Sequence, residues 1–416
     1  MSQIKAISAI EILDSRGRPT LFATCQFTDG TIGQASVPSG ASTGAAEALE
    51  LRDNDPKRFG GYGCLQAVKN VNNDINTALS GKNFNSQAEL DHFLIELDGT
   101  SNKSRLGANA ILSVSLAFCR AQAAQNGLEL YQQFAQMAGV SPRLPHPMIN
   151  LFSGGKHGGQ QTAIQDVQIV VPKSTSVQYT LEMMSNVFRS AANRTSKRYG
   201  VRLLTADEGG LAPPVQSSVE MFEEAVAAIQ EAGYIPGEDV ALTVDVAASH
   251  FLEDGHYHID GDVLDSNAMV DLISDWCRAF PIVSIEDGLG EGDWAGWQAL
   301  FQQLNRQAMV LGDDLLCTNP TRIQRAIDET AANSLLLKVN QIGTLTEALD
   351  AYQLARQAGW KVVISARSGE TEDNWLADLA TGWAGDYIKV GSITQSERLA
   401  KYNRLLYLEN YTDLTL

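Results

Sequence analysis

Six short apolar runs in the second half of the chain, VALTVDVAAS, PIVSIEDG, AMVLGDD, SLLLKVNQ, KVVISARSG and DYIKVGS, each end in polar or charged residues. Between them lie stretches of helical composition, such as PTRIQRAIDETAA and TEALDAYQLARQAG. Buried strands that alternate with helix-length segments are the pattern of parallel βα units. Six such units, with further elements upstream, imply a closed (β/α)₈-type barrel rather than an open sheet. In such a barrel the C-terminal strand ends converge on one face, where groups from different strands meet. Asp245, Glu286, Asp313, Lys338, Arg367 with Ser368, and Lys389 all stand at that end of a run. Their spacing suits one βα unit each, the first of them lengthened.

The first part of the chain reads differently. Residues 1 to about 60 alternate short apolar runs (LFATCQF, TIGQASV) with Gly and Pro turns, which predicts a small antiparallel sheet. The segment NAILSVSLAFCRAQAAQNGLELYQQFAQM predicts one or two buried helices. GVSPRLPHP then breaks helical structure with its prolines and reads as a linker. A chain of 416 residues, 44% hydrophobic, exceeds one ordinary domain. The expected division is 1–140 and 141–416.

A formal charge of −18 disfavours nucleic acid and anionic lipid, both of which require basic patches. A small anionic substrate would need local cations or a metal. No run approaches the length of a membrane span, and MSQIKAISAIEILDSRG lacks the features of a secretory signal, so a cytoplasmic protein is expected. Cys25, Cys64, Cys119, Cys277 and Cys317 are scattered and read as free thiols.

Three carboxylates on successive strand ends, Asp245, Glu286 and Asp313, form an oxygen-ligand set suited to Mg²⁺. Loop capping, or ion pairs with the lysines, is the alternative explanation of such a triplet. Lys338 and Lys389 are expected across the barrel mouth from these acids. A lysine serves as a base only where neighbouring cations and desolvation lower its pKa.

The motifs SIEDG, GDDLLCTNP, LLLKVNQIGTLTEAL, ISARSGETED and IKVGS closely resemble those of the enolases. So do DSRGRPT, PSGASTGAAEALELRD, KSRLGANAILSVSLA and TADEGGLAP upstream, and the resemblance runs from residue 4 to about 408. It implies an α/β protein: an enolase-type (β/α)₈ barrel, irregular in its first strands, with a smaller N-terminal α+β capping domain. It also implies a Mg²⁺-dependent hydro-lyase of glycolysis acting on a phosphorylated acid, in a homodimer or larger homo-oligomer. Asp245, Glu286 and Asp313 would bind one Mg²⁺, and Ser42, on the mobile loop Pro38–Gly44, a second. Lys338 would be the general base. Lys389 would hold the substrate carboxylate, and Arg367 with Ser368 the phosphate. Glu208 would assist departure of the C3 hydroxyl, and His157 and Gln165 would lie on the substrate side.

Two site residues depart from the family pattern. Asp166 is a catalytic candidate whose carboxylate is one methylene shorter than the usual glutamate, and Ala366 replaces a histidine. Lys156 adds a positive charge beside His157. The loss of a hydrogen bond to a charged group costs roughly 1.5–3 kcal/mol, and misplacing an acid by roughly 1 Å can cost on the order of a hundredfold in rate. The leading expectation is conversion of 2-phosphoglycerate to phosphoenolpyruvate, or of a close analogue. The alternatives are a specialised enzyme with another substrate or nucleophile, such as a carboxyphosphonoenolpyruvate synthase acting on a phosphonate, and a non-catalytic binding protein on the same scaffold.

Overall fold

The computed structural model describes residues 2–40, 44–200, 202 and 204–416. Its N-terminal part opens with a meander of β1 (Ser2–Leu13), β2 (Pro19–Phe27) and β3 (Ile32–Ser36), all antiparallel. A two-residue strand, β4 (Asn83–Phe84), joins the far edge of β1. Along β2 the side chains of Leu21, Ala23, Cys25 and Phe27 are fully buried while Phe22, Thr24 and Gln26 between them are only partly so, the period of a sheet covered on one face. The cover is the helix Ala108–Gln125, which sits so close that a Cβ on Gly33 would run into its backbone at Ala117 and Ala121. The apolar stretch that predicted one or two helices forms two. The second, Leu130–Ala138, starts at a reciprocal capping box between Glu129 and Gln132.

The remainder is a closed eight-stranded barrel. β5 (His146–Ser153), β6 (Asp166–Val170) and β7 (Ala241–Asp245) pair antiparallel. A small hairpin sheet of β8 (Leu252–Glu253), β9 (His256–Ile259) and β10 (Asp262–Leu264) follows, and its insertion accounts for the lengthened gap between Asp245 and Glu286. β11 (Ile282–Glu286), β12 (Met309–Gly312), β13 (Ser334–Leu337), β14 (Lys361–Ser365) and β15 (Tyr387–Lys389) run parallel, and the order β11-β12-β13-β14-β15-β5-β6-β7 closes on itself. The first strands therefore break the parallel rule, as the resemblance implies. Met148, Val170, Ala241, Leu311, Leu336 and Val363 plug the barrel. Above the plug lies a polar layer in which Thr243 Oγ1 donates to Gln168 Oε1 (2.8 Å) and Gln168 Nε2 to Asn150 Oδ1 (3.2 Å).

The two parts meet through polar contacts. Asp91 accepts from the backbone N–H (2.9 Å) and hydroxyl (2.7 Å) of Thr346, and Lys103 pairs with Glu347 at 2.8 Å. Ser39 and Gly369 exchange backbone bonds of 2.8 and 2.9 Å, so the strand leading to the loop at residue 40 is stitched to the barrel mouth. All five cysteines are free thiols. Among the described residues no helix is long and apolar enough to cross a membrane.

Candidate active site

The strand-end residues meet at one mouth, as the apolar-to-polar switches predict. Asp245 and Glu286 end β7 and β11, Asp313 and Lys338 directly follow β12 and β13, Arg367 lies just beyond β14, and Lys389 ends β15. Lys389 stands diametrically opposite β11 in the barrel order and reaches across. Its Nζ lies 2.7 and 2.8 Å from the two oxygens of Glu286 and 3.0 Å from Asp245 Oδ2. Burial disfavours its charge, but these two carboxylates outweigh that and hold the ammonium protonated.

Lys338 is not across the mouth from all three acids, because β12 and β13 are neighbours. Its Nζ is 2.5 Å from Asp313 Oδ2. Asp313 Oδ1 accepts from Gln341 Nε2 (2.7 Å), whose Oε1 accepts from Thr318 Oγ1 (2.7 Å). Burial lowers the Lys338 pKa and Asp313 raises it, and the raising effect prevails. Lys338 is therefore charged while it faces Asp313. Asp287 accepts from the backbone N–H groups of Asp313 (3.0 Å) and Asp314 (2.7 Å) and fixes that turn.

On the opposite wall, His157 Nδ1 bonds to Asp166 Oδ2 at 2.9 Å, and its Nε2 is 3.9 Å from Glu208 Oε1. Burial opposes charge on this imidazole, yet Asp166 and Glu208 raise its pKa to about 9. Glu208 also accepts from Asn150 Nδ2 at 3.0 Å. Its burial favours the neutral acid, but His157 and then Arg398, Lys389 and Lys338 lower its pKa. Asp166 is fully buried, its other oxygen accepting from Ser153 Oγ at 2.6 Å, and it stands behind His157 rather than on the cavity wall.

Arg367 and Ser368 form a third wall with a partner the sequence reading did not single out. Glu47 Oε2 lies 2.9 Å from Arg367 Nη1 and Glu47 Oε1 3.3 Å from Nη2, both side chains being buried. Gly40 packs on the same guanidinium, where a Cβ would collide with it. Asp287 and Asp314, which also line the cavity, were missed as well. Their signal was the doubled acid in SIEDG and GDDLL. The enclosed space is about 30 Å³, room for only a few waters. Gln165, Ala366 and His250 also line it. Ser42 falls outside the described residues.

The donors suit a divalent cation. They are buried, anionic and mostly oxygen, as a hard ion requires, and the Lys389 ammonium already occupies a cation's place against Asp245 and Glu286. Gln165 Nε2 donates to Asp245 Oδ2 (3.1 Å), leaving its buried Oε1 without a hydrogen-bond partner. Among the described residues, two groups bring donor atoms within 4.8 Å of one another: Asp287, Asp313 and Asp314, and His157, Asp166 and Glu208. Asp245 and Glu286 turn instead to Lys389.

Two family models match the chain. The enolase N-terminal domain covers residues 4–134 and the enolase C-terminal TIM barrel domain residues 141–414. With the capping sheet, the irregular closed barrel and a mouth lined by acids, lysines and an arginine in place, the chain belongs to the enolase family of lyases.

Proposed function

We propose that this chain is a Mg²⁺-dependent hydro-lyase that removes the C2 proton of a small phosphorylated carboxylic acid and expels the C3 hydroxyl as water. The best candidate reaction is 2-phosphoglycerate to phosphoenolpyruvate, or that of a close analogue. The observation that carries this reading is the opposition of Lys338, following β13, to the Glu208–His157 pair beside β5 and β6, with Arg367 and Ser368 on a third side. An anti elimination, in which the proton leaves from one face of the substrate and the hydroxyl from the other, uses that separation.

Asp245, Glu286 and Asp313, with Gln165 and Asp314 beside them, would hold Mg²⁺. When bound, the ion supplies positive charge that stabilises the anion developing on the substrate carboxylate. Lys338 takes the C2 proton once its own proton and its pairing with Asp313 are given up. Arg367 and Ser368 bind the phosphate and fix its distance from Lys338. Lys389 holds the carboxylate end. Glu208 faces the leaving hydroxyl, and His157, charged and 3.9 Å away, is its nearest proton source. Asp166 acts through His157 by holding its Nδ1.

A second reading, a paralogue with a bulkier or differently charged substrate, is favoured by one observation. Ala366 lines the cavity beside Arg367 with a side chain that offers no polar atom. The test is Mg²⁺-dependent turnover of 2-phosphoglycerate by the native chain and by an Ala366→His, Asp166→Glu variant. Rapid native turnover supports the first reading. Negligible turnover restored in the variant supports the second and directs the search to phosphonates and larger phosphorylated acids. No turnover and no binding by either would sink the first reading, and failure of phosphonates and larger phosphorylated acids to bind the native chain would sink the second.

A further inference from the structure

The DSRGRPT motif has no part in the chemistry above, yet the first of its two arginines, Arg16, reaches the site. Arg16 and Asp14 form a buried unit, their side chains 6% and 0% exposed. Asp14 Oδ1 accepts from the backbone N–H groups of Arg16 (2.8 Å) and Arg18 (2.9 Å), and Oδ2 from Arg16 Nε (3.2 Å) and Nη2 (2.9 Å). The guanidinium, fixed in this way, extends Nη1 to Ser368 Oγ at 3.1 Å and Nη2 to the carbonyl of Ser39 at 3.2 Å. The approach is so close that a Cβ on Gly369 would collide with both Asp14 and Arg16.

A guanidinium only donates, whereas a serine hydroxyl carries one proton and two lone pairs. Ser368 Oγ is therefore the acceptor toward Arg16, and its own proton must point elsewhere. Among the described residues no protein acceptor takes that proton, and Ser368 faces the cavity. We propose that Arg16 is a positioning residue that turns the Ser368 hydroxyl into a fixed donor for the anionic group of the substrate. Arg16 does not line the cavity. It acts through Ser368, and so the N-terminal domain sets part of the anion site. This inference rests on the assignment of Arg367 and Ser368 to the substrate's phosphate.

The test is a double-mutant cycle read by calorimetric titration, in Mg²⁺, of 2-phosphoglycerate and separately of inorganic phosphate. The proteins are wild type, Arg16→Met, Ser368→Ala, the double variant and Arg367→Met, each checked for a cooperative unfolding transition. Arg16→Met and Ser368→Ala are each expected to weaken binding roughly tenfold, and the double variant no further than either alone. A through-space charge effect or general loosening of the fold would persist after Ser368 is removed, so additive losses overturn the inference. Unchanged binding in Arg16→Met also overturns it. If Arg367→Met binds as well as wild type, the phosphate assignment itself fails and this inference falls with it. If Arg16→Met does not fold, Arg16→Lys replaces it in the same cycle. Lysine keeps the charge beside Asp14 but lacks the fork that serves Asp14 and Ser368 together, so the same non-additive loss is expected.

Discussion

Replacing Glu47 by glutamine is expected to tighten the binding of phosphorylated acids. In the structure Glu47 occupies the guanidinium that the substrate's anion would need, through contacts of 2.9 and 3.3 Å between two buried side chains. The same carboxylate accepts from the Gly44 backbone N–H at 3.0 Å, and Ala48 N–H donates to the Gln341 carbonyl at 2.7 Å, so this segment is latched to the mouth. The remaining cavity holds only a few waters, so a substrate must displace something to enter. A hydrogen bond between charged groups is worth about 1.5–3 kcal/mol net. Glutamine keeps the shape and an acceptor but loses the charge, and a gain of that size corresponds to roughly ten- to a hundredfold in Kd. The assay is calorimetric titration of 2-phosphoglycerate and of inorganic phosphate into Glu47→Gln and native protein at fixed Mg²⁺. Unchanged or weaker binding would refute the reasoning, because it would mean that Glu47 stays on Arg367 in the complex and orients it.

Lys338→Met should lower turnover by about 10²–10⁴ while leaving substrate affinity within a fewfold, the range for loss of a general base; a comparable loss in binding rather than rate, measured by titration beside steady-state kinetics, would remove Lys338 from that role. Lys389→Met leaves Asp245 and Glu286 buried without their cation and should destabilise the metal-free protein by about 3–5 kcal/mol. Thermal unfolding with chelator and with Mg²⁺ should then show a larger Mg²⁺-induced rise in Tm for the variant than for the native chain, and equal rises would count against a cation at those acids. Asp91 is lifted to about 6 by burial, in spite of bonds from Thr346, Ser115 and Gln87. The native state thus holds this proton more tightly than the unfolded chain does, so stability falls as pH rises from about 4 to about 6 and the loss is complete above that window. Chemical denaturation across that range should show a shallower fall for Asp91→Asn, and an unchanged slope would exclude Asp91 as its source.

The mouth of the barrel was legible because each strand is a buried apolar run that must end in something polar, and those ends are Asp245, Glu286, Asp313, Lys338, Arg367 and Lys389. The pairing among them was not legible in the same way. Lys338 was expected to face all three acids, whereas successive strands in a parallel barrel are neighbours, which puts it directly on Asp313. Nor does the pattern of strand ends announce that Glu286 pairs with Lys389 at 2.7 and 2.8 Å, a contact made across the mouth between strands far apart in the sequence. Glu47 and Arg16 escaped notice because they come from the other domain, and which of its charged residues reach the mouth depends on docking that no local pattern encodes. The capping sheet announced itself through the short apolar runs LFATCQF and TIGQASV between Gly and Pro turns, while β4 is too short to leave a pattern.

The exchange of backbone bonds between Ser39 and Gly369 makes the pocket around Arg367, where we propose the substrate's anion binds, a composite object. Its floor is written in the barrel, but part of its lining arrives with a separate fold, held there by these peptide groups together with the Asp91–Thr346 and Lys103–Glu347 contacts and the packing of Phe134 on Trp383. Chimaeras that graft this N-terminal domain onto a relative's barrel would therefore transplant more than a cover. They would carry Arg16, Gly40 and Glu47 with it, and with them the groups that surround Arg367 and Ser368 at the neighbouring barrel's mouth.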